Sequence, residues 1–193
     1  MEGGIYRKVL IIVFIAALLL LGFENFCTLT GYASEGITPS NVTIVQSLAI
    51  SFSTQLGEGI IFDEVRFLPA ANVNATHNYD GIGNASGYFI LVSPDGNTPV
   101  DVCLKADGPL TSVGGDTIPL VGETYSHSKI SNITMPSVTS EVSLTTNYTL
   151  SSDNVPLGGT GYLRFFLDVP TAQAPGDYSN NIFFKGTPTG AGC

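Results

Sequence analysis

SNVTIVQSLAISFSTQ, residues 40–55, alternates apolar and polar side chains. Val42, Ile44, Leu48, Ile50 and Phe52 fall on one face. Asn41, Thr43, Ser47, Ser51 and Ser53 fall on the other, with Val45 and Ala49 as apolar exceptions. Only Gln46 interrupts the apolar face. Successive side chains of a strand point to opposite faces, so this period of two predicts β-structure over 41–54. At about 3.3 Å per residue an unbroken strand of this length spans roughly 40 Å, whereas a typical strand has about 5–6 residues. One small domain seldom uses so much strand, but two neighbouring bodies sharing it would.

Before this stretch the sequence has the form of an export signal. Arg7 and Lys8 supply a basic start, and Val9 to Leu21 are continuously apolar. The run suits a secretory leader and is shorter than the ~20 residues of a spanning helix. Gly31 and Ala33 offer the small residues of a cleavage site, so residues 1–33 are expected to be removed after Ala33. Contact with the membrane is then confined to this segment before cleavage. An uncleaved anchor reaching Phe26 is the competing reading, against which stand Glu24 and the short apolar run.

The remaining 160 residues suffice for one domain with a real core. They keep five basic residues against fourteen acidic ones, a net charge of −9. No basic patch exists, which speaks against a nucleic-acid partner. Cys27 lies in the leader, leaving Cys103 and Cys193, an even count in an oxidising compartment, and these are expected to pair. Val100, Val102 and Leu104 share one face of their strand, so Cys103, with Asp101 and Lys105, points the other way. The bridge would staple the C-terminal tail across the outer face of the domain, and in the chain-entropy model a loop of ~90 residues contributes at most about 4 kcal/mol. Two unpaired thiols are the alternative. Five sequons follow the leader: Asn41, Asn74, Asn84, Asn132 and Asn147. In an exported chain they predict N-linked surface glycans.

The rest reads as all-β. Runs rich in Val, Ile, Phe, Tyr and Thr predict strands near 41–54, 59–68, 87–93, 100–106, 117–121, 139–150, 161–169 and 179–186. Gly, Pro, Asn and Asp separate them, and this spacing points to a β-sandwich or jelly roll. GYLRFFLDVP and the strand after Pro175–Gly176 read as an antiparallel hairpin. Residues 70–86 read as a polar loop, and 122–137 give no clear pattern.

Little in the sequence suggests catalysis. No nucleophile elbow, metalloprotease helix or phosphate loop is present, and the reading is of a non-enzyme without cofactor or metal. His77 and His127 sit in polar, turn-rich stretches with no triad spacing around them. Asp63, Glu64, Asp80, Asp95, Asp101 and Asp116 are the oxygens a calcium site would need, but Asp-Gly pairs also serve β-turns in their own right. A pair of glycosidase acids has no sequence support beyond the presence of carboxylates.

The order of segments resembles a known family. A leader is followed by an alternating strand ending in SLAISFSTQLGEGIIFDEV, then NYDGIGNASGYFILV, TPVDVCLKADGPLTS and IPLVGETY, then GYLRFFLDVP and PGDYSNNIFF. This is similar in strand order and texture to subunits of archaeal extracellular filaments, the threads and bundling pili, which are distantly TasA/camelysin-like. The resemblance implies a jelly-roll-like β-sandwich at 47–193, preceded by a donor strand at 34–46 that completes the sheet of the next copy. It implies a homopolymer serving adhesion or biofilm. Val42 and Ile44 would be the donor's plugs, with Ile37 a third if Pro39 permits its register. Leu48, Ile50 and Phe52 would belong to the subunit's own core. The alternative is a monomeric secreted sandwich that binds carbohydrate or protein on an exposed aromatic platform, for which Tyr79, Tyr88, Phe89, Tyr125 and Tyr162 are available.

Overall fold

A computed structural model describes residues 41–78, 87–129 and 140–193. The chain divides into two compact units, Met1–Thr43 and Ile44–Cys193. Of the first, only residues 41–43 are described, and they are exposed. The leader, its cleavage site and Ile37 lie outside the described residues.

The second unit is all-β. Its strands in chain order are β1 (Ile50–Phe52), β2 (Ala70–Asn74), β3 (Tyr88–Val92), β4 (Val100–Ala106), β5 (Leu110–Ser112), β6 (Thr117–Ile118) and β7 (Glu123–Ser128). They continue with β8 (Val142–Ser143), β9 (Thr149–Val155), β10 (Thr160–Val169), β11 (Tyr178–Ser179) and β12 (Ile182–Pro188). One short helix, α1 (Thr54–Glu58), follows β1, its N-terminus capped by the Ser53 hydroxyl, which accepts from Leu56 N–H. The larger sheet runs β1-β3-β10-β7-β8, with β2 also paired to β10. A second sheet runs β12-β4-β9, and a small third one β11-β5-β6.

The first two sheets pack face to face. Tyr88, Ile90 and Val92 of β3, Tyr125 of β7, and Leu163 and Phe165 of β10 meet Val100, Val102, Leu104 and Ala106 of β4 and Val155 of β9. Alternation is the cause: in β3, β4 and β10 these residues stand at every second position. The ring of Phe165 lies edge-on to Tyr88, centroids 5.5 Å apart. Tyr88 and Tyr125 are therefore core residues and not a binding platform. A second, smaller cluster of Leu110, Ile118, Leu167 and Val169 continues the interior toward the small sheet.

Four expectations need correction. The strand predicted over 41–54 is paired only at Ile50–Phe52, and residues 41–49 carry no regular structure. Alternation shows that a segment is able to form a strand, whereas a ladder also needs a partner at the right place. Residues 45–47 are held instead by Asn97, whose amide nitrogen donates to Val45 O and whose Oδ1 accepts from Ser47 N. Second, 59–68 is not a strand; its one β-bridge is between Phe62 and Ala75, and Ile60, Phe62 and Val65 pack against the core. Third, 70–74 is a strand, not loop, although residues 79–86 of that stretch lie outside the described residues.

The fourth correction concerns the last two long strands. β10 and β12 do not form a hairpin: β10 pairs with β3, β2 and β7, while β12 pairs with β4 in the opposite sheet. The chain between them passes through β11, which pairs with β5. A connection that crosses between the sheets of a sandwich has the same turn residues as a hairpin, so the sequence around Pro175–Gly176 does not separate the two.

Two other predicted strands are displaced. Of 117–121 only Thr117–Ile118 is strand, followed by a single helical turn at Leu120–Gly122. The 139–150 prediction resolves into β8 and the start of β9, which runs on to Val155.

Candidate functional site

Cys103 and Cys193 form a disulfide, S–S 2.06 Å, with Cα atoms 5.8 Å apart. Cys103 points away from the core as alternation requires, yet it is fully buried. The C-terminal tail covers it. Gly190 N donates to Asp101 Oδ2 at 2.9 Å, and Lys185 Nζ donates to Cys193 O at 3.1 Å. Asp101 Oδ1 accepts from Asn154 N at 2.7 Å, where the β4–β9 ladder shifts register. Both carboxylate oxygens of Asp101 thus hold main-chain N–H groups, which explains its burial in structural terms.

Beside that sealed face lies a cluster of opposite character. The Lys105 ammonium sits 4.9 Å from the Tyr148 ring centre and 5.4 Å from that of Phe183. The Lys185 ammonium is 5.4 Å from the same Tyr148 ring. Such contacts orient the cations and the rings at little energetic cost.

A concavity lies elsewhere. A groove of 1120 Å³ runs between the 59–68 segment and residues 173–184. Leu110, Ile118, Leu167 and Val169 form its floor, and Phe52, Ile61, Leu68, Ile182 and Phe184 stand along its sides. Ile61 and Leu68 remain about half exposed there, and Phe67, next to Leu68, is 85% exposed. The groove borders β12, the end strand of its sheet. Ile182 and Phe184 are its lining residues there, and among the described residues no strand pairs with the outer edge of β12.

One charged side chain of the groove lining is buried. Glu123 belongs to β7, opposite Leu167 of β10, on the inward face that also carries Tyr125. It is 2% exposed. Its Oε2 accepts from Asn180 Nδ2 at 2.6 Å, and the same nitrogen donates to Gly108 O at 3.1 Å. Burial pushes the Glu123 carboxyl up to about 7; the Asn180 hydrogen bond opposes this and the nearby Asp107 charge adds to it. Asp107 itself is held below the usual carboxylate range, chiefly by the N–H of Asn181.

The sequence gives no sign of Glu123. In ETYSHS, residues 123–128, polar side chains stand on both faces of the strand, and no apolar alternation marks it. The histidines are not brought together. His77 lies 3.7 Å from Glu58 and edge-on to Tyr88. His127 is at the far end of β7, its pKa lowered by burial first and by Lys129, with Asp153 opposing.

Of the predicted donor-strand residues, Val42 and Ile44 are 85% and 79% exposed, and Ile37 is outside the described residues. Of the sequons, Asn41, Asn74 and Asn147 are exposed, whereas Asn84 and Asn132 lie outside the described residues. Among the described residues no helix is long and apolar enough to cross a membrane. The disulfide fits an oxidising compartment. Neither family models, curated proteins nor solved structures include any that matches the chain.

Proposed function

We propose that the chain is the repeating subunit of a glycosylated extracellular filament. In this reading a jelly-roll-like sandwich polymerises by laying the N-terminal strand of one copy, residues 34–46, into the groove of the next. The observation that carries it is the pairing of two unsatisfied features. A groove with an apolar floor adjoins β12, whose outer edge no described strand pairs, and the apolar side chains Val42, Ile44 and Val45 stand exposed. Strand addition satisfies both: main-chain hydrogen bonds form along β12, and alternate side chains fill the groove. Val42 and Ile44 are the plugs nearest the anchor that Asn97 makes with residues 45–47. A contact between a terminal strand and a distinct groove is heterologous and does not close on itself, so it propagates. Glycans on exposed Asn41, Asn74 and Asn147 would coat the filament.

A chain beginning at Ser47 tests the reading, with a synthetic peptide of residues 34–46 added back. The expected result is a monomer that binds the peptide and melts several degrees higher with it. A truncated chain that melts like the full one and ignores the peptide contradicts the reading.

One observation favours the second reading, a monomeric module for carbohydrate or protein. Tyr148, Phe183, Lys105 and Lys185 gather on the outer face of the β12-β4-β9 sheet, where Phe183 and Leu150 are exposed.

A further inference from the structure

Glu123 is costly where it stands. Its carboxyl is buried without a basic partner among the described residues, and one amide hydrogen bond from Asn180 is its polar contact there. The walls beside it, Leu110, Ile118, Leu167 and Phe184, are apolar. A groove whose floor is apolar and that receives an apolar strand has a weakness: the strand slips by two residues and still presents its apolar face to that floor. A single buried polar group that must find a partner removes that freedom, as a lone polar core position does in helical assemblies.

The incoming strand carries a matching break. On the face of Val42 and Ile44, two residues and four residues earlier, stand Ser40 and Thr38. Both are hydroxyls, able to donate to a carboxylate and to accept from a carboxylic acid. We infer that Glu123, oriented by Asn180, is the register-setting site of the groove and binds a hydroxyl of the inserted strand from a second copy, Ser40 or Thr38. This rests on the donor-strand reading and specifies where that strand stops.

Insertion covers the groove and removes the remaining water from Glu123, and the incoming hydroxyl accepts from the carboxylic acid, so the neutral carboxyl is favoured further. Assembly therefore takes up a proton, and the filament weakens as pH rises through neutrality. The other charged groups around Glu123 do not reverse this. Asp107 opposes its ionisation, while Asn180, Leu167 and the Gly108 carbonyl are uncharged. His127 sits at the other end of β7, where it interacts with Asp153 and Lys129. Asp63, Glu64, Arg66 and Asp177 line the groove farther along; Arg66 is taken by Glu64 at 2.9 Å.

The test uses the full chain purified after export, with critical concentration for filament growth measured from pH 5 to pH 8. Wild type is expected to assemble about fivefold more readily at the acid end, the effect between these limits of a roughly tenfold preference of the inserted strand for the neutral carboxyl. Glu123→Gln keeps the shape and the hydrogen bonds, and is expected to assemble equally well at both ends. Combining Ser40→Ala and Thr38→Val with Glu123→Leu should cost no more than Glu123→Leu alone, because the partner is already gone. Circular dichroism checks that each variant folds. Filaments whose pH profile is the same in wild type and Glu123→Gln, with additive losses in the combined variant, overturn the register site and leave the donor-strand reading standing. No filament from wild type at any pH overturns both.

Discussion

Two asparagines do similar work in different sheets. Asn154 (φ 44°) and Asn72 (φ 54°) occupy left-handed backbone at breaks in register, and each N–H donates at 2.7 Å to an aspartate across the ladder, Asp101 and Asp168 respectively. Asparagine tolerates this conformation better than most residues, and the carboxylate takes up the N–H that the bulge leaves over. Asp101 is the more consequential, since it is buried and also holds Gly190 of the tail. Asp101→Ala should cost about 2–3 kcal/mol by leaving two N–H groups unmade, read as a lower urea midpoint. Glu123 gives a prediction in pH. Its folded pKa near 7 lies above the ordinary 4.5, so the native chain holds a proton that the unfolded chain releases in between. The stability it contributes is complete below about pH 4.5 and is lost as pH rises to about 7, by about 3 kcal/mol at most. Glu123→Gln should remove that slope from a plot of melting temperature against pH, with the largest gain over wild type above pH 7.

At the scale of elements, the disulfide and a side-chain splice close gaps that the strands leave. Cys103–Cys193 spans 90 residues and pins the tail over the outer face of β4. Replacing both cysteines by serine should lose about 2–4 kcal/mol and free the tail, seen as faster amide exchange at Gly190. On β10, β3 covers one end of an edge and β2 the other. Between them Asn78 stands in for a strand: its Nδ2 donates to Phe165 O at 2.7 Å and its Oδ1 accepts from Phe165 N at 2.8 Å. Asn78→Ala should destabilise by about 1–3 kcal/mol, since the Phe165 N–H then loses its partner while Phe165 O keeps the bond from Ala75 N, a loss a urea titration reads directly. These elements also show how far the sequence can be read. β3, β4 and β10 are legible because their inward residues are β-branched, aliphatic or aromatic at every second position. β7 is not, because Glu123 takes an inward place where that pattern needs an apolar residue, and of the strand's residues only Tyr125 is apolar. β2 hides behind four polar or small residues in AANVN, and its identity as a strand depends on β10 being there to receive it. Pairing across the sandwich, and hence the separation of β10 from β12, is a property of the assembled sheets rather than of either segment. Turn residues and the Cys103–Cys193 bridge were readable because each follows from local chemistry or from counting.

For the whole molecule, the distribution of apolar surface is the informative quantity. The sandwich buries a continuous core between its two main sheets, yet it leaves a groove at one edge and an exposed apolar lead-in at 42–45. In the proposed filament each is what the other lacks. The groove was not legible in the sequence, since its floor and sides come from segments as far apart as Phe52, Leu110 and Phe184. Alternation over 40–55 did mark the lead-in, although it overstated how much of it pairs within one chain. Electron microscopy of the exported chain beside one starting at Ser47 is the most direct measurement. The account predicts filaments from the first and single compact particles from the second; compact particles of equal thermal stability from both would contradict it.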